Sequence, residues 1–168
     1  MAIEIDFRNL YVAQMDDLGD PNRLPLASLN DNDTHIHGTL RIRIGSRDLP
    51  MLGFFGPDDA CLGAWAAELS AASRALSEQD PARFVYDEGE QGQPAFVFDR
   101  RSKEIRVSIA DSETSGGRGI PEWGVQVCGL AEFFAAVEKF LNQLHVVICE
   151  GSAEAGKNWL DEQLRRRG

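Results

Sequence analysis

The sequence predicts an α+β domain: a mainly antiparallel, twisted sheet of about six or seven strands, two main helices packed on one face, and a short C-terminal helix. Three observations predict it. Short segments alternate apolar and polar residues, as half-buried strands do. Two longer segments, near Asp58 and from Leu130, repeat apolar residues at helical spacing. Most strands follow one another without intervening helices, which favours antiparallel pairing. The 168 residues fit one domain over 1–168 and are enough for a hydrophobic core.

Ile3, Ile5 and Phe7 face one way and Glu4, Asp6 and Arg8 the other, giving a first strand from Ala2 to Arg8. From Tyr11 the alternation is lost. Acidic and turn-forming residues make 11–33 a long acidic loop in this reading. Alternation returns at His35, with Ile36, Gly38, Leu40, Ile42 and Ile44 inward and His35, His37, Thr39, Arg41 and Arg43 on a solvent face. Gly45-Ser46-Arg47-Asp48 reads as a turn into a short strand, Leu49 to Phe55. Pro57-Asp58-Asp59 then opens a helix, either aspartate able to cap it, with Leu62, Trp65, Leu69, Ala72 and Leu76 as its buried stripe.

A four-strand meander follows, marked by Phe84 and Tyr86, Phe96 and Phe98, Ile105 to Ile109, and Trp123 to Val127. Leu130, Phe133, Val137, Phe140 and Leu144 form a second helix to about Cys149; Val146–Cys149 is β-prone and can be its end or a separate strand. Ser152 caps a final helix, 152–168, with Ala155, Trp159, Leu160 and Leu164 inward. The expected arrangement is one sheet layer under the two main helices.

The net charge of −10 disfavours nucleic acid and anionic membranes, both of which need surplus Lys and Arg. The N-terminus lacks the basic-then-apolar order of a secretory signal, and no apolar run is long enough to span a bilayer; a cytoplasmic protein is expected. Cys61, Cys128 and Cys149 are widely spaced, form no CxxC pair, and read as small hydrophobes in a reducing compartment.

Asp33-Thr34-His35-Ile36-His37 resembles the first metal motif of the amidohydrolase superfamily, where two imidazoles on one side of a strand share a metal. That family implies a barrel of about 250 residues with further His and Asp ligands. Here only His145 remains, and the lead-in Asn30-Asp31-Asn32 is polar. The expectation is therefore no metal and no cofactor; if one were held, Asp33 (or Asp31), His35 and His37 would hold it, with Arg41 and Arg43 opposing on the same face. The segment also lacks the glycine and terminal acid of a calcium loop. Ser115-Gly116-Gly117-Arg118-Gly119 runs into a strand rather than a helix, so it reads as a flexible connection and not as a phosphate cradle. No carboxylate pair, nucleophile elbow or Cys–His arrangement marks an enzyme. The sheet aromatics read as core, since the outward positions beside them are Arg83, Asp99, Glu104 and Arg106.

The order of strands, helix, meander and long helix resembles that of small acidic immunity proteins of bacterial polymorphic and contact-dependent toxin systems. The likeness centres on FVYDEGEQGQPAFVFDRRSKEIRVSIADS and the helix after Trp123. It implies a non-enzymatic inhibitor that binds and neutralises a cognate, basic toxin domain. Contacts would come from the acidic loops: Asp16, Asp17, Asp20, Asp31, Asp87, Glu88, Glu90 and Glu113. The alternatives are an acidic secretion chaperone or a small metal-dependent hydrolase using His35 and His37. Oligomeric state stays open.

Overall fold

The computed structural model describes residues 1–15, 21–30, 35–53, 56–87 and 92–165. It is an α+β fold with two antiparallel sheets and three helices. The first sheet is built on β1 (Ile3–Met15) and β3 (His35–Ile44), which pair along most of their length. On its free side β1 pairs with β2 (Pro21–Leu24). Two short strands share the other edge of β3. β4 (Arg47–Asp48) returns through the Gly45-Ser46 turn, where Gly45 has φ +60°, and β5 (Ala60–Cys61) pairs with His37 and Gly38.

The second sheet is the meander β6 (Ala82–Tyr86), β7 (Ala95–Arg101), β8 (Glu104–Ala110) and β9 (Gln126–Gly129). The described residues thus form nine strands, two of them only two residues long, in two hydrogen-bonded groups where six or seven strands in one layer were expected. Polar contacts join the groups: Trp123 Nε1 donates to Asp48 O at 2.9 Å, and Arg47 donates to the Trp123 carbonyl.

α1 (Leu62–Glu78) packs on β3 of one sheet and on β6 and β7 of the other, while α2 (Leu130–Gly151) lies against β1, β8 and β9. Both helices therefore serve one continuous core, in which Trp65 meets Tyr86 and Phe96 edge-on and donates its N–H to Leu52 O. α3 (Gly156–Arg165) buries Trp159 and Leu160 against the bundle. Gly63 makes room for it: a Cβ there would stand 3.1 Å from the Trp159 ring.

Several boundaries differ from the sequence reading, each for a visible reason. The predicted loop over 11–33 is partly sheet, because β1 continues to Met15 and β2 follows. A bulge between Arg8 and Tyr11, with Asn9 at φ +54°, hides this by switching faces. Before it Ile3, Ile5 and Phe7 pair with inward residues of β3; after it Val12 takes the core face and Tyr11 turns outward, opposite His37. Gly38 lets the bulge sit close, since a Cβ there would lie 2.9 Å from Arg8 O.

The strand expected over Leu49 to Phe55 does not form over 49–53, and the short strand is instead Arg47–Asp48, which the sequence reading placed in the turn; Phe54 and Phe55 lie outside the described residues. α1 starts at Leu62 with Cys61 as N-cap, not at the aspartates. Trp123 sits in a 3-10 turn (Pro121–Trp123) rather than in the strand, and Val125 is exposed. Val146–Cys149 is helix, with Ile148 buried and Val146 outward. Ser152 closes α2 by donating its N–H to Ile148 O, and the final helix begins later, at Gly156.

Candidate functional site

The outer face of β3 is not the wet face its alternation suggests. From His37 to Arg43 its outward residues are half-buried. The segment leading into α1 covers them, because Ala60 and Cys61 add a two-residue strand to β3 and draw Asp58 and Asp59 over it. The aspartates serve side chains of the sheet, and Cys61, the N-cap residue, makes no side-chain cap hydrogen bond. Thr39 Oγ1 donates to Asp58 Oδ1 at 2.6 Å. Asp59 Oδ1 lies 2.8 Å from His37 Nδ1 and accepts the Tyr11 hydroxyl at 2.7 Å.

Register explains the meeting. Tyr11 and Cys61 are both direct partners of His37, one from each neighbouring strand, so Tyr11, His37 and Cys61 form a row across the sheet. Side chains directly opposite one another share a face. His35, two residues from His37, shares it as well. Its Nδ1 stands 3.9 Å from Cys61 Sγ, and the two imidazole centroids are 6.2 Å apart. One donor atom each from His35, His37 and Cys61 falls within 4.8 Å of the others. His35 is exposed; His37 and Cys61 are half-buried.

Electrostatics around this cluster differ from expectation. Arg41 and Arg43, expected to oppose a cation, both bind Asp48 at the far end of β3, at 3.0 and 2.8 Å. On this face Asp48 therefore matches Arg41 and Arg43, while Asp58 and Asp59 serve Thr39 and His37. The Arg23 guanidinium lies 4.6 Å over the Tyr11 ring. Burial, then the hydrogen bond to Asp59 and its charge, push the Tyr11 hydroxyl up to about 12, so at neutral pH it is a donor.

The second candidate region is the rim of the meander. Asp87, at the end of β6, organises the loop after β8. Its carboxylate accepts the hydroxyls of Ser112 and Thr114, both at 2.7 Å, and the Glu113 N–H at 2.9 Å. Burial alone would raise the Asp87 carboxyl, but these hydrogen bonds outweigh it and hold it below the ordinary value. The SETSGGRG loop is accordingly a built structure and not the flexible connection expected. Ser115 Oγ donates to Gln93 O at 2.6 Å, the Ser112 N–H to Gly117 O at 2.8 Å, and the Gly119 N–H to Asp111 Oδ1 at 2.8 Å. That last bond is the main reason the exposed Asp111 carboxyl lies below its ordinary value. Gly117 is required by close approach: a Cβ there would fall 2.0 Å from Gln93 O.

Of the residues expected to bind a partner, Asp87 is the internal brace of this loop and Glu113 is exposed upon it. Asp16, Asp17, Asp20, Asp31, Glu88 and Glu90, and the metal candidate Asp33, lie outside the described residues. Sequence reasoning joined His35 to His37 but missed Cys61, Asp59 and Tyr11. The only linear hint was the position of Asp59 and Cys61 just before an apolar helix.

No helix among the described residues is long and apolar enough to cross a membrane. Comparison of the chain with family models, curated proteins and solved structures finds no match.

Proposed function

We propose that the chain is a non-enzymatic, protein-binding inhibitor of the immunity type, which occupies a basic toxin domain in the cytoplasm of the cell that makes both. The observation that carries this reading is the ordered acidic rim. Asp87 and Asp111 lock the loop after β8 by internal hydrogen bonds, Asp111 also pairing with Arg118, and leave Glu113 toward solvent on a protein of net charge −10. A loop ordered before binding loses less conformational entropy when it docks. An acidic field speeds encounter with a basic partner. A secretion chaperone would offer a contiguous apolar patch. The large hydrophobics exposed among the described residues are Met1, Met51, Val85, Val125 and Val146.

The test is a binding titration against the C-terminal domain of whatever large secreted protein is encoded beside this chain, paired with a growth-rescue assay. Tight binding that weakens with salt, and about tenfold slower association for Asp111→Lys/Glu113→Lys, is expected. Absence of both binding and rescue would refute the reading.

A further inference from the structure

The geometry points to a metal site for a zinc-class divalent ion, held by His35, His37 and Cys61. The site is independent of the inhibitor reading. Its donors come from two hydrogen-bonded strands, so the backbone fixes their spacing; none depends on a long loop. Two imidazoles and one thiolate form a set that borderline-soft ions prefer over calcium or magnesium. In a tetrahedral zinc site with ordinary bond lengths, nitrogens stand about 3.3 Å apart and nitrogen and sulfur about 3.6 Å. The separation of 3.9 Å between Cys61 Sγ and His35 Nδ1 is close to this, and one donor atom of each of the three residues lies within 4.8 Å of the others, a spread that side-chain rotation can close.

The groups that hold the donors in place support the same conclusion. Metal-binding imidazoles usually donate their other N–H to a carboxylate, which fixes tautomer and ring orientation. His37 Nδ1 has that partner in Asp59 at 2.8 Å, leaving Nε2 for the ion, and Asp59 is itself held by the Tyr11 hydroxyl. Binding converts the Cys61 thiol to thiolate and releases one proton to solvent. Three protein donors leave a fourth position of a tetrahedral ion for water or another ligand.

The experiment is titration of the metal-stripped full chain with Co²⁺, followed by displacement with Zn²⁺. One equivalent per chain is expected, giving the ligand-field bands of tetrahedral Co²⁺ and thiolate-to-cobalt charge transfer, both lost on adding Zn²⁺. Cys61→Ser removes the charge-transfer band, and His35→Ala and His37→Ala each lower affinity at least tenfold. Asp59→Asn lowers it about 10–100-fold while keeping the spectrum. Cys149→Ser, which removes the thiol 3.6 Å from His145, leaves the spectrum intact. Far-UV circular dichroism and thermal melts of each variant show that it is folded. Octahedral aquo-type spectra, a charge-transfer band that survives Cys61→Ser, or loss of the site in Cys149→Ser would each overturn the assignment. So would Zn²⁺ that fails to protect Cys61 from alkylation.

Discussion

Replacing Asp87 with asparagine keeps the size of the side chain and tests whether its charge builds the rim. The outcome follows from counting donors and acceptors. Ser112 Oγ already accepts the N–H groups of Thr114 and Ser115, at 3.2 and 2.8 Å, so it donates its own proton, for which Asp87 at 2.7 Å is a nearer acceptor than Thr114 Oγ1 at 3.4 Å. Glu113 N–H must donate as well, to the other carboxylate oxygen. An asparagine amide therefore meets a donor whichever way it is turned. Hydrogen bonds to charged groups contribute about 1.5–3 kcal/mol each, and the low end applies near solvent, so Asp87→Asn costs about 1.5 kcal/mol. Asp87→Ala removes every partner and costs about 2–3 kcal/mol. With a urea dependence of roughly 2 kcal/mol per molar, the asparagine variant unfolds about 0.7 M earlier. Amide hydrogen exchange locates the damage: the Glu113, Ser115 and Gly117 amides lose protection while those of α2 exchange as before in the local-opening regime. An Asp87→Asn protein with an unchanged urea midpoint and unchanged exchange in these amides would refute the reasoning.

Further outcomes follow from the same contacts. The Asp87 and Asp111 carboxyls lie below their ordinary values, so their contribution is complete above the unfolded value of about 3.9 and is lost as pH falls through the lower folded values. Protection of the Glu113 and Gly119 amides, corrected for intrinsic exchange, should hold from pH 8 to about 5 and decline below about 4; loss near pH 6 would contradict the assignment. Gly117→Ala places a Cβ 2.0 Å from a backbone carbonyl, so the loop must move; nuclear magnetic resonance shifts should change from Gln93 to Gly119 and stay fixed in α3. Trp159→Ala empties a fully buried site and should cost about 3–5 kcal/mol, read by chemical denaturation. α3 has only 10 residues and does not persist undocked, so its amides should exchange first.

What the sequence disclosed depended on whether one burial pattern governed a whole segment. Along β3 every second residue from Ile36 to Ile44 is buried, so its phase could be read directly. α1 and α2 keep one buried stripe each and were equally plain. β1 resisted because the bulge at Asn9 reverses the inward face halfway, making Tyr11 and Val12 both buried on opposite sides. A pattern that is regular in space on each side of a bulge looks like noise in sequence.

The candidate site divides along the same line. The His35–His37 pair is local and was visible; Cys61 joins it only through β5, and two residues have no periodicity to detect. Asp58 and Asp59 carried a misleading local signal. Aspartates before an apolar helix suit its exposed N–H groups, yet here the hydroxyls of Tyr11 and Thr39 and the imidazole of His37 claim them. A cap is one interaction near solvent, whereas Asp59, lying over β3, serves His37 and Tyr11 at once in a half-buried place. That competition is decided by strand register, which a one-dimensional reading does not contain. It turns a helix-start motif into the wall of a site.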